Sequence, residues 1–149
     1  MSKQNSGYTQ VVGRGAGINT VEVEIDHSAF TDGGSTTGSY TLTDIVPAYS
    51  IGLGSFVETT EAFNVAVTAS VGNTAGEDQW TADAVTAAVT TLGTKILSIY
   101  SAAPAVVSTS AQDIYVTLTH SSDFTLVTSA KIKVRLIYLA TLPNSMLLI

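Results

Sequence analysis

The chain has 149 residues and a mass of 15.4 kDa, the size of one domain. Six Lys and Arg stand against twelve Asp and Glu, a net charge of −6, and only 12% of residues are charged while 45% are hydrophobic. That balance argues against a disordered chain, which needs less apolar content and more net charge, and against a nucleic-acid binder, which needs a basic face for phosphates. Hydroxyls replace the missing charge, with 16 Ser and 22 Thr. Cysteine is absent, so neither disulfides nor thiolate metal sites hold the fold. The opening MSKQNSGYTQ has no apolar run of the secretory kind, and no stretch approaches the roughly 20 apolar residues that span a bilayer. The expectation is a soluble protein made in the cytoplasm.

In chain order, residues 1–19 are polar and glycine-rich and read as an arm or a loosely held first strand. The first confident strand is Asn19 to His27, in which Val21, Val23 and Ile25 alternate with Glu22, Glu24 and Asp26. Ser39 to Ile45, Phe63 to Val71, Lys95 to Tyr100, Asp113 to His120 and Lys131 to Leu139 repeat the period of two that marks half-buried strands. Ile51 to Val57 and Phe124 to Thr128 are weaker candidates. Turn clusters rich in Gly, Asp, Asn and Ser separate them at 13–17, 31–38, 72–78 and 121–123. One segment dissents: Val85, Val89 and Leu92 stand at helical spacing within 81–92, which predicts a short helix there. Seven or eight short strands so punctuated predict an all-β fold, an antiparallel β-sandwich or jelly roll. The domain is expected over 20–141, with an apolar tail over 142–149 that ends on Met146, Leu147, Leu148 and Ile149.

No catalytic constellation is sharp. Gly13 to Gly17 imitates a phosphate loop, but a strand follows where a phosphate-binding helix would have to start. His27 and His120, the only histidines, have Asp26, Asp123 and serines beside them, and both fall at strand ends where a polar residue simply leaves the sheet. Glu22 with Glu24, and Glu58 with Glu61, offer paired carboxylates, yet nothing marks one as desolvated. Gly52 to Phe56 lacks the serine between two glycines that a nucleophile elbow requires.

The informative charge pattern is of another kind. Glu22, Glu24 and Asp26 line one face of the first confident strand, and Lys131, Lys133 and Arg135 line one face of the last. A jelly roll sets those two strands side by side, so the ladders are expected to meet within one sheet, where opposite charges contribute about 0.2–1 kcal/mol per pair. Solvated faces and pairs between subunits are the alternatives. The four terminal hydrophobes are costly in water, at about 1.5–3 kcal/mol each. They either fold back on their own domain or, with Arg14 of the arm, serve as contacts to a neighbouring subunit.

The runs Asp44-Ile45-Val46-Pro47-Ala48, Ser55-Phe56-Val57-Glu58, Glu61-Ala62-Phe63-Asn64 and Val71-Gly72-Asn73 resemble those of small virion proteins of tailed bacteriophages. Thr128-Ser129-Ala130 followed by Lys131 to Tyr138 looks like their closing element, so the resemblance covers about residues 40–140. It implies a jelly-roll structural protein, commonly trimeric, that cements or decorates the capsid. On it rest the expectations of a homotrimer, of a major capsid protein or another virion protein as partner, of residence in the virion, and of no enzymatic activity, cofactor, metal, nucleic acid or membrane. The alternatives are a carbohydrate-binding module or fibre component on the same fold, with Trp80 in a loop either as the sugar platform or, the favoured reading of that residue, as a cap on one end of the sandwich, or a neck or tail protein.

Overall fold

The computed structural model describes residues 8–10, 17–75, 79–81, 87–99 and 108–141. They form strands β1 (Tyr8–Gln10), β2 (Gly17–Asp26), β3 (Thr31–Asp32), β4 (Thr37–Val46), β5 (Ser50–Glu61), β6 (Val67–Gly72), β7 (Ala87–Ala88), β8 (Lys95–Ile99), β9 (Gln112–His120) and β10 (Lys131–Ala140). The protein is an all-β sandwich. Eight strands make two antiparallel sheets, β2-β10-β5-β8 and β4-β9-β6-β7, and the short β1 and β3 extend one edge of each.

The pairing has a simple logic. β2 pairs with β10, β4 with β9, β5 with β8 and β6 with β7, so the chain runs out and back as one long hairpin with nested rungs. Alternate rungs fall in opposite sheets, and the rolled hairpin is sealed by β10 against β5 and by β9 against β6. Every strand pair is therefore antiparallel, and the chain's first and last long strands are neighbours.

Alternation fills the space between the sheets. Val21, Val23 and Ile25 of β2, Val57 of β5, and Ile132, Val134, Leu136 and Tyr138 of β10 are buried on one side. Leu42 and Val46 of β4, Val67, Ala69 and Val71 of β6, and Ile114, Val116 and Leu118 of β9 meet them from the other. Each fully buried Val, Ile or Leu contributes about 1.5–3 kcal/mol of transfer free energy. At one end of the sandwich the ring of Phe124 lies where a Cβ on Gly38 would be, and Phe30 links Phe124 to Tyr40 at centroid distances of 6.4 and 6.0 Å. Glycine at position 38 is what lets the aromatic ring close that end.

Several expectations are corrected. Among the described residues of 81–92 there is no helix: Ala87–Ala88 pair with Thr68 and Ala69, and the Val89 amide donates to the Val67 carbonyl at 3.1 Å. Val89 is buried whereas Leu92 is 61% exposed, so the two do not share one apolar face as a helix would demand. The edge of β6 offered backbone partners to a Thr- and Val-rich segment that has little helical propensity. Phe124 to Leu126 is a 3₁₀ turn rather than a strand, because Asp123 caps it by accepting the Thr125 amide at 2.9 Å. Residues 63–66, expected as the start of a strand, lie in the loop between β5 and β6, in which Asn64 accepts the Thr128 and Ser129 amides and donates to the Leu126 carbonyl. β2 begins at Gly17, two residues before the Asn19 expected, and Tyr8–Gln10 pair along its outer edge, in keeping with the first-strand alternative for residues 1–19. Residues 142–149, with Met146 to Ile149, and Arg14 lie outside the described residues.

Candidate functional site

The outward face of the β2-β10-β5-β8 sheet carries the charge ladders. β10 pairs Lys131 with Asp26, Lys133 with Glu24 and Arg135 with Glu22, because two antiparallel strands of matching period put like faces together residue by residue. Contact is uneven within that register. Nε and Nη2 of Arg135 both donate to Oε2 of Glu22, at 3.1 and 2.6 Å, and Nζ of Lys133 stands 3.9 Å from Oε1 of the same carboxylate. Glu24 accepts the Thr60 hydroxyl at 3.1 Å. Asp26 turns to the Ser28 amide at 2.9 Å, and its carboxyl sits below the ordinary range chiefly because of that bond, then because of the Ser28 hydroxyl, with His27 and Lys131 adding to the effect.

The tertiary structure adds partners that strand alternation in one segment could not reveal. Glu58 and Glu61 of β5 flank the basic ladder on its other side, opposite Lys133 and Lys131, and Lys95 of β8 pairs with Glu58 at 3.5 Å. Acid, base, acid and base columns thus run across four strands. Five acids and four bases sit on this patch, a net of −1, so most of the chain's charge of −6 lies elsewhere. The pairs are solvent-facing, with the Arg135 side chain 43% exposed, and each is worth about 0.2–1 kcal/mol.

Farther along the same face, where β10 ends, charge gives way to apolar groups. Ile137 and Leu139 follow Arg135 on the outward side of β10; on β5, Phe56 stands opposite Arg135 and Ile51 opposite Leu139. Ile18, Leu97 and Ile99 on the flanking strands are 64%, 71% and 76% exposed. The other sheet differs. Its outward rows carry Thr37, Ser39, Thr41, Thr68 and Thr119, a hydroxyl surface.

The chain matches no protein-family model, no curated protein and no solved structure. Its chemistry must be judged on its own residues.

His27 and His120 are not drawn into a shared centre. His27 Nδ1 stands 3.1 Å from Asp26 Oδ1 in the turn after β2, whereas His120 Nδ1 accepts the Ser122 and Asp123 amides at 3.1 and 3.3 Å. No group of three metal-ligating side chains occurs among the described residues. Trp80 is 1% exposed, its Nε1 donates to Asn73 Oδ1 at 2.9 Å, and its backbone is held by Val71 and by the Ser55 hydroxyl. A ring so placed offers no face to a sugar. An open recess of about 420 Å³ at one end of the β4-β9-β6 sheet is lined by Asp44, Asn73, Gln112, Asp113 and Tyr115. Asp113 spends one carboxylate oxygen on the Asp44 amide at 2.8 Å, and Asn73 spends its carbonyl on Trp80, so these groups serve the loops around the recess. Among the described residues no helix is long and apolar enough to cross a membrane.

Proposed function

We propose that the chain is a structural, non-enzymatic protein of a tailed-phage virion, which binds and stabilises the capsid as a cement or decoration protein and works as a homotrimer. The observation that carries this reading is the strand order. β2-β10-β5-β8 facing β4-β9-β6-β7 is what a long hairpin becomes when rolled into two Greek keys, and it supports the jelly-roll form that recurs in viral shells. Of the segments on which the resemblance rests, four fall at the end of β4, within β5, at the end of β6 and along β10, while Glu61–Asn64, which starts on the last residue of β5, and Thr128–Ala130 lie in the loops that lead to β6 and β10.

Other features fit a binding module better than a catalyst. The surface presents large faces of hydroxyl, paired charge and exposed aliphatic groups, suited to broad contact with another protein. A modest interface repeated three times on a shell gains strength through effective concentration rather than through one tight site. The carbohydrate alternative loses its best residue to the core at Trp80.

The test is the native mass in solution followed by capsid binding. Light scattering should give a mass near three times 15.4 kDa. The protein should then co-sediment with empty capsids assembled from the shell protein of the genome that encodes it, and raise their melting temperature. A protein that stays in the supernatant and leaves the shells unchanged is not a cement protein. If antibodies label the neck or tail of the particle instead, the same fold serves at another position in the virion.

A further inference from the structure

The outward β2-β10-β5-β8 face carries acidic, basic, acidic and basic columns in strand order, and Glu24, Lys133, Glu58 and Lys95 form one complete row across it. We infer that this face is self-complementary and seats a second copy of the chain, packed face to face about a two-fold axis that runs along the strands between β10 and β5.

The order of the columns selects that axis. Rotation about it reverses the strand order but keeps each row at its own height, so β8 of the second copy lies over β2 and its β5 lies over β10. Glu24 then faces Lys95 of the second copy, Lys133 faces its Glu58, and Lys131 faces its Glu61. Each of these contacts occurs twice, as an isologous interface requires. An axis across the strands would reverse the rows instead. It would press Lys131 against Leu139 and Lys133 against Ile137, and set Glu22 on Glu22, so unpaired and like charges tell against it.

The apolar half agrees with the charged half. Under the same rotation Leu139 faces Ile51 of the second copy, so aliphatic groups cover one another. The Phe56 ring comes over Arg135 of the second copy, whose half-exposed guanidinium can stack on it while keeping its bond to Glu22. Twisted sheets stack in this aligned fashion, inclined by about 30° and about 10 Å apart. That gap is wide enough for Lys, Arg and Glu side chains to meet end to end.

The size of the face sets the strength of the contact. Strands about 4.8 Å apart and rows about 6.7 Å apart enclose about 600 Å² on each copy, so the pair buries about 1,200 Å² in all, the low end for specific interfaces. The contact therefore forms at high local concentration rather than in dilute solution, where a homotrimer keeps its own mass. Wherever copies stand in an array, it joins one neighbour to the next. It requires only a second copy of the chain, and it stands or falls separately from the virion reading.

Glu24 and Lys95 lie three strands apart in one chain and face each other only between two copies. The absence of cysteine leaves a crosslinking test without background. At high protein concentration, Glu24→Cys with Lys95→Cys should be joined into a covalent dimer by a short bismaleimide that spans the roughly 10 Å between packed sheets. Thr20→Cys with Ile99→Cys, which face each other in the apolar half, repeats the test should the first variant fail to fold. Each single variant should run at monomer mass on a denaturing gel, because the axis holds the two copies of any β2 or β8 residue three strands apart. Adding Glu24→Lys to the Thr20→Cys and Ile99→Cys pair sets like charge against Lys95 of the second copy and should cut the dimer yield several-fold. Dimers formed as readily by the single variants, no dimer from either folded double variant, or a yield untouched by Glu24→Lys would each overturn the inference.

Discussion

Arg135 and Glu22 lie 113 residues apart and meet across the first and last long strands, with two guanidinium nitrogens on a single carboxylate oxygen. The pair sits where the charged half of the face passes into the apolar half. It closes the open end of the rolled hairpin, so its register reports the correct pairing of β2 with β10. Arg135→Ala and Glu22→Gln in a double-mutant cycle should show a coupling of about 0.5–1 kcal/mol by urea unfolding. Coupling should fall in 1 M salt, because half-exposed charges are screened. Coupling that is absent at low salt would reduce the ladders to solvated decoration.

Gly54 permits the close approach of β8. A Cβ there would run into the backbone carbonyl of Ser98, and a backbone atom cannot swing aside as a side chain tip can. Gly54→Ala should cost about 1–3 kcal/mol as an overpacked contact. Its signature is local: amides of β8 should exchange several-fold faster while those of β9 are unchanged. A variant as stable as the parent would mean that β8 is loosely held.

Trp80 is the chain's single tryptophan, and it is buried with a hydrogen-bonded indole. Its emission should be blue-shifted in the native protein and move to the red on unfolding, which gives a direct probe of stability. Trp80→Phe should cost about 1–3 kcal/mol by leaving Asn73 without its indole donor, and Trp80→Ala about 3–5 kcal/mol through the cavity left behind. Red-shifted native emission that iodide quenches readily would contradict the burial.

Asp123 and Asp26 each cap a 3₁₀ turn, and both carboxyls titrate below their ordinary 3.8. For Asp123 the Thr125 hydroxyl is the main cause, followed by the Thr125 amide. Groups with lowered folded pKa stabilise the native state above the unfolded value and lose that contribution as pH falls through the folded one. The gap in Tm between the parent and Asp123→Ala should therefore be constant above 3.8 and close progressively at lower pH. A gap that persists undiminished well below that value would assign the effect to the side chain's packing rather than its charge.

Strand alternation is local, and it was legible in β2, β9 and β10. A period of two in 21–27, 113–120 and 131–139 reflects which side chains must leave water, whatever the partners are. The two ladders were equally plain, since charge on alternate residues belongs to one face of one strand. The reading failed where backbone partners came from afar. The spacing of Val85, Val89 and Leu92 favoured a helix until the edge of β6 supplied hydrogen bonds to Ala87–Val89, and an Asp cap made a 3₁₀ turn of Phe124 to Leu126. Glycine's meaning was also hidden: Gly38 read as the end of a turn cluster and Gly54 as part of a run that is no nucleophile elbow, yet each marks a contact, with a ring in one case and a backbone in the other.

From the order of residues alone follow the all-β class and the acidic and basic ladders on the first and last long strands. Folding had to bring Glu22 to both Arg135 and Lys133, extend the ladders through Glu58 and Lys95 across four strands, and choose the buried cap over the exposed platform for Trp80. The reason is range. Alternation is fixed by a residue's own neighbours, whereas pairing and register are fixed by strands a hundred residues apart, and these are chosen together when the hairpin rolls up and buries its inner faces.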